Sequence, residues 1–175
     1  MDMPKIIEGL EGKILFSARE IIENEGYDAL SMKELAKRND IAVGTIYNYY
    51  PDKNSLLIAL VVDDWLALEK SIEDRISALN SFEEGIHLLY LSFMAFSAEH
   101  QILFTHFSTN GNSAYYESYR SFVNEGAKIL EKLAEHFGVH YGEDRYQMAA
   151  SMFSYAIHYP DTPYQDIEDA IKRIL

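Results

Sequence analysis

The 175-residue chain has no cysteine, so disulfide bonds and thiol catalysis are excluded. Such a composition suits a reducing compartment. Long apolar runs are missing too. Nothing approaches the roughly 18 uncharged apolar residues of a membrane span, and no membrane partner is expected. Residues 1–10 have no basic-then-apolar leader pattern, and Glu8 and Glu11 interrupt any apolar run there. The expected location is therefore the cytoplasm. No glycine-rich phosphate loop, nucleophile elbow or triad spacing is present, so neither an enzyme nor a cofactor is expected. His136 and His140 flank Gly138, a helix stopper, and are not read as metal ligands.

Positive charge is scarce, with 15 Lys/Arg against 28 Asp/Glu and a formal net charge of -13. A chain this acidic repels nucleic acid as a whole. The shortage is uneven. Residues 56–175 carry 8 basic against 18 acidic side chains, a balance of -10, whereas residues 31–53 carry 4 against 3, or +1. Any contact with DNA has to use this one near-neutral stretch. The rest reads as a solvated acidic surface.

β-alternation, internal repeats and low-complexity tracts are also missing, and what remains is helical periodicity. Ile7, Leu10, Ile14, Ala18 and Ile21 stripe a first helix that Gly26 ends. Ser31 with Glu34 three residues later forms a capping box for a second. A third short helix is expected over Ala42–Tyr49, stopped by Tyr50-Pro51. A long helix follows through Leu57, Val61, Trp65, Leu68, Ile72, Ile76 and Leu79. Ser81 caps the next, with a short helix expected over Gln101–Phe107 and a loop at "STNGNS". A further long helix ends at Gly138, another covers Glu143–His158, and Ile167, Ile171 and Ile174 mark the last. The expected fold class is all-α.

Two short helices joined by about three residues, then a long helix, is the grammar of a helix-turn-helix. Within "IAVGTIYNYYPDKNSLL", Ile46 and Tyr50 are four apart and face inward, with Val43 partly so. Thr45, Tyr47, Asn48 and Tyr49 are left to face out, and Gly44 lets a partner's backbone approach closely. Phenol and hydroxyl groups can donate to phosphate oxygens, and Lys53 opens the next helix with a charge that can hold another phosphate.

"SMKELAKRNDIAVGTIYNYYPDKNSLL" resembles the DNA-binding segment of TetR-type transcriptional regulators, and "ILFSAREIIENEGYDALSM" before it also fits. The likeness covers about residues 5–60. It implies an N-terminal helix-turn-helix domain over residues 1–52 and a helical effector-binding and dimerisation domain over 53–175. It implies a homodimer on double-stranded operator DNA, usually a repressor, released by a small and largely hydrophobic effector. The DNA-contacting set that it implies is Ser31, Ala42, Val43, Gly44, Thr45, Tyr47, Asn48, Tyr49 and Lys53. Ser31 caps its helix, Thr45 faces the major groove, and Tyr47 and Lys53 bind phosphate. The chain departs from the family pattern at "NDI", where the usual turn glycine is lost; Asn39 or Asp40 adopts the left-handed conformation in its place. Val43 favours apolar contact with a thymine methyl. Aromatic residues Trp65, Phe93, Phe96, Phe104, Tyr119 and Phe122 are the expected effector pocket. The small residues of 143–154, with Ile167, Ile171 and Ile174, are the expected dimer face. The competing reading is an all-α carrier of hydrophobic ligands, or a protein-interaction module, that binds no DNA.

Overall fold

The computed structural model describes residues 8–103, 105 and 113–175, with side chains at all of these except 113–119. Phe104 therefore lies outside the described residues, as do Ile7, the Tyr119 side chain, most of "STNGNS" and three of the seven residues of the helix expected over Gln101–Phe107. Among the described residues there is no strand. The helices are α1 (Leu10–Glu25), α2 (Met32–Arg38), α3 (Val43–Tyr49), α4 (Lys53–Ile76), α5 (Phe82–Glu99), α6 (Ser113–His136), α7 (Glu143–His158) and α8 (Tyr164–Ile174). No helix among the described residues is long and apolar enough to cross a membrane. The chain divides into two compact units, Met1–Asp64 and Trp65–Leu175, with the division inside α4.

In the first unit, α1 buries Leu10, Ile14, Leu15, Ala18 and Ile21, the stripe that its sequence spacing predicts. Each large aliphatic side chain buried this way stabilises by about 1.5–3 kcal/mol. Gly26 closes α1 at φ 88°, where its N–H reaches the Ile22 carbonyl at 3.1 Å. A 3₁₀ turn over Tyr27–Ala29 then leads into α2. Leu35, Ile46, Leu56 and Leu57 are fully enclosed and complete this core. Arg19 on α1 pairs with Asp63 and Asp64 on α4, each at 2.5 Å.

In the second unit, α6 packs on α7, and α5 packs on both. Ser81 caps α5 by accepting the Glu84 N–H at 3.1 Å, while Glu84 reaches back to the Asn80 N–H at 2.7 Å. The helices approach closely where side chains are small. A methyl group at Gly126 would stand 3.6 Å from both Ala150 and Phe93. Gly85 is tighter, since the Leu133 side chain already fills the space a methyl group would need. Leu133 is itself 1% exposed and has nowhere to retreat. Gly85→Ala is expected to destabilise the protein by about 1–2 kcal/mol, the overpacking cost outweighing alanine's better helix propensity. Chemical denaturation of the variant checks this, and an unchanged midpoint refutes it.

The dimer face expected from sequence needs correction. Ala149, Ala150, Ser154 and Ala156 are buried within the chain, and so are Ile167 and Ile171. Small residues let α7 settle against its own neighbours, and the α8 isoleucines seal that core. What α7 and the residue that ends it expose is a different stripe, with Met148, Tyr155 and Tyr159 all large and open to solvent.

Candidate nucleic-acid interface

Ser31 starts α2, and its Oγ accepts the Glu34 N–H at 3.1 Å. Only half of the expected capping box forms. The Glu34 carboxylate accepts from Arg38 Nε at 3.2 Å instead, and Arg38 also pairs with Glu25. A charge-assisted bond to a guanidinium outcompetes a neutral backbone N–H. Arg38 is thereby paired with carboxylates of the same chain at the surface.

The turn between α2 and α3 is made without glycine. Asp40 takes the left-handed conformation at φ 51°, one of the two positions expected to do so. The Ile41 N–H reaches the Ala36 carbonyl at 3.0 Å, and Asn39 Nδ2 donates to Leu35 O at 2.9 Å and to Ser17 Oγ at 3.2 Å. The turn is thus fixed to the end of α2 and to α1. Its geometry sets how α3 is presented.

Ala42 begins α3 in extended conformation, with no side-chain cap. Ile46 is fully enclosed and Tyr50 is 4% exposed, so these two anchor the helix. The Tyr50 hydroxyl lies 3.5 Å from Glu11, and burial, then the Glu11 charge, pushes its phenol far above the ordinary range. Val43 (38% exposed) and Tyr47 (49%) stand outward with Ala42, Gly44 and Asn48. Val43 is less inward than its spacing suggests. Thr45 and Tyr49 are half-buried at the rim of the same face. A methyl group placed on Gly44 would meet nothing of the chain within 4 Å. Internal packing does not require glycine here, and the space is open to an outside partner.

Two lysines that the motif reading passed over belong to this face. Lys33 and Lys37 are exposed, four apart on α2, and line a groove with Ser31, Ile41 and Val43. Their signal was available in the i, i+4 spacing on the polar side of α2. Lys37 has Glu34 3.8 Å away, an exposed pair worth little. Asp52 was also passed over. Its Oδ1 accepts the Ser55 N–H at 2.7 Å and the Ser55 hydroxyl at 2.8 Å, capping α4 and holding its carboxyl below the usual range.

Lys53 has an internal role that its position in the motif does not disclose. Its ammonium donates to the Tyr27 carbonyl at 3.3 Å and lies 4.0 Å from the centre of the Tyr27 ring. Burial lowers its pKa, with Asp28 opposing the shift. Burial likewise raises the Tyr27 phenol. Lys53 therefore ties the start of α4 to the 3₁₀ turn.

In the second unit, four of the six expected pocket residues come together. Trp65 is stacked on Phe93 (ring centres 5.4 Å apart), meets Phe96 edge-on at 5.4 Å and contacts Phe122 at 4.7 Å. Phe93 and Phe96 also contact Phe122, at 5.5 and 6.3 Å. His100, 3% exposed, stacks on Phe96 at 4.3 Å with its Nδ1 2.9 Å from the Phe96 carbonyl. These four residues pack against one another as an aromatic cluster. Among the described residues no group of three His, Asp or Glu side chains is placed to hold a metal ion.

Residues 14–60, the α1–α4 segment just described, match the family described as "Bacterial regulatory proteins, tetR family". The HTH-type transcriptional repressor KstR of Mycolicibacterium smegmatis is 43% identical over 47 residues, 27% of this chain and 23% of that protein. The HTH-type transcriptional regulator UidR of Escherichia coli K12 is 31% identical over 77 residues, 44% of this chain and 36% of that protein. The chain thus spans between about a quarter and a third of these curated relatives. Among solved structures, FadR of Thermus thermophilus in complex with lauroyl-CoA superposes with a TM-score of 0.63 at 22% identity, over 94% of this chain and 90% of that one. A Streptomyces coelicolor regulator described only as putative, SCO7518, gives 0.67 at 16% identity, over 95% and 98%. The likeness in fold extends through both units, while the likeness in sequence is concentrated in the helix-turn-helix. Residues 14–60 thus carry the sequence of a TetR-type DNA-binding segment, and the chain as a whole has the fold of the TetR-family structures it superposes on.

Proposed function

We propose that the protein is a cytoplasmic, non-catalytic transcriptional repressor. It binds double-stranded operator DNA as a homodimer and leaves it when a small, largely hydrophobic effector enters the second unit. The observation that carries the DNA reading is the split of α3 into two faces. Ile46 and Tyr50 are buried, while Val43, Gly44, Tyr47 and Asn48 are presented outward beside Lys33 and Lys37. Small, apolar and hydroxyl-bearing groups on one short helix suit a major groove and its flanking phosphates. Residues 1–52 supply this surface, with Ser31, Ala42, Thr45, Tyr49 and Lys53 at its edges. Residues 53–175 supply the effector and dimer functions.

Repression is supported by the KstR relatives, which are named repressors. An apolar effector is supported by the aromatic cluster, and by the fold shared with a FadR that holds lauroyl-CoA. Dimerisation is supported by the exposed Met148 and Tyr155 on α7 and Tyr159 just after it, where an apolar stripe asks for cover. A dimer also doubles the number of bases read. Coupling is proposed to run along α4, which contributes residues to both units, and its size is set by the effector's differential affinity for the two states.

The test is binding to the DNA upstream of its own gene. Replacing Tyr47 with Phe removes one phenol per copy and should weaken a shifted complex by about tenfold, as expected for two lost phosphate hydrogen bonds. The Tyr47 side chain has no core role, so thermal melting should be unchanged. Undiminished affinity in Tyr47→Phe would remove Tyr47 from the interface. Absence of any complex with wild-type protein would favour the carrier reading.

A further inference from the structure

Among the described residues, one buried side-chain polar atom has no hydrogen-bond partner, and it is Trp65 Nε1. Trp65 is 8% exposed. A buried indole N–H nearly always finds an acceptor, because leaving it unpaired forfeits its hydration for nothing. Phenylalanine could still pack an aromatic ring against Phe93, Phe96 and Phe122 and would leave no orphan donor. The atom is therefore a functional candidate rather than a packing one.

Its surroundings define what it would accept. Phe93 and Phe96 are enclosed, at 1% and 5% exposure, whereas Phe122 is half-buried and lies 4.7 Å from the Trp65 ring at a tilt of 57°. Phe122 is the described member of the cluster with the most access to solvent. The three described rings touching Trp65 carry no charge, and residues 56–175 are acidic overall. Aromatic faces are negative and stabilise no anion, and a buried carboxylate without a cation is costly.

We propose that Trp65 is the polar group of an apolar ligand subsite in the second unit. The ligand it selects has a hydrophobic or ring-bearing body and one uncharged acceptor, such as a ketone, ester or thioester carbonyl. The indole N–H donates to that carbonyl. This deepens the effector reading above and rests on it.

The chain has a single tryptophan, so one indole N–H resonance reports this site alone. Two soluble probes of similar shape separate the polar contact from the apolar one, methyl benzoate with an acceptor and toluene without. Titration of the intact protein should move the indole resonance downfield and slow its exchange with methyl benzoate only. Trp65→Phe should weaken methyl benzoate about fivefold and leave toluene unaffected, the size of one neutral hydrogen bond. Equal shifts from both probes, an unmoved resonance, or no binding of either probe overturns the proposal. The wild-type resonance decides the matter even if the variant fails to fold. Salt-dependent DNA binding, read on the same sample, separates the two failures. If DNA is bound while the indole is not engaged, only this inference falls; if DNA is not bound, the regulator reading falls.

Discussion

Raising monovalent salt from 50 to 200 mM should weaken the complex with duplex DNA by about a thousandfold. Each copy carries a formal charge of -13, so two copies bring -26 to a polyanion. Association is then possible only where cations face the phosphates. Arg19 and Arg38 are committed to Asp63, Asp64, Glu25 and Glu34. Among the described residues, the lysines beside α3 are Lys33, Lys37 and Lys53, six in a dimer, and Lys53 has to leave Tyr27 to reach a phosphate. Each phosphate neutralised contributes about 0.9 to the slope of log affinity against log salt, so six give a slope near -5 and the stated loss over a fourfold rise. An equilibrium titration at several salt concentrations measures the slope directly. A slope close to zero would defeat DNA binding by this surface. A slope near -4 would mean that Lys53 stays on Tyr27 and acts only by positioning α4.

That second outcome marks a limit of the sequence as a source. Lys53 and Tyr27 are 26 residues apart, and no periodicity links them. Their contact depends on how the 3₁₀ turn lies against the start of α4. Features set by neighbouring residues were legible: Gly26 as a helix end, Ser31 and Ser81 as caps, the short α2 and α3, and the left-handed turn. Faces were legible where an inward residue recurs at helical spacing, as with Ile14 and Ile21, or Ile46 and Tyr50. On α7 that logic gave the wrong partner. Small residues permit close approach to any helix, and the sequence does not say whether that helix belongs to the same chain. Here they serve the α6 contact, and Met148, Tyr155 and Tyr159 are left outside. The aromatic cluster was similarly half-legible. The family resemblance named Trp65, Phe93, Phe96 and Phe122 together, but an unpartnered indole N–H is a property of packing alone.

Gly44→Ala should move stability and DNA affinity in opposite directions. Gly44 lies inside α3, where glycine costs about 1 kcal/mol relative to alanine. A methyl group there meets nothing of the chain within 4 Å, so the substitution carries no steric penalty in the isolated protein. The variant should therefore melt a few degrees higher, about 2–4 °C for a chain of this size. Against DNA the same methyl group stands on the outward face between Val43 and Tyr47, where a groove wall would have to pass. Holding the backbone further off strains the contacts on both sides of it, at a loss of about 1–3 kcal/mol, or ten- to a hundredfold in affinity. The contrast makes the test decisive, because a mutation that harms binding through misfolding cannot raise the melting temperature. Differential scanning calorimetry and a fluorescence anisotropy titration on one preparation give both numbers. If affinity holds while the melting temperature rises, the space beside Gly44 is ordinary solvent and α3 meets DNA through another face.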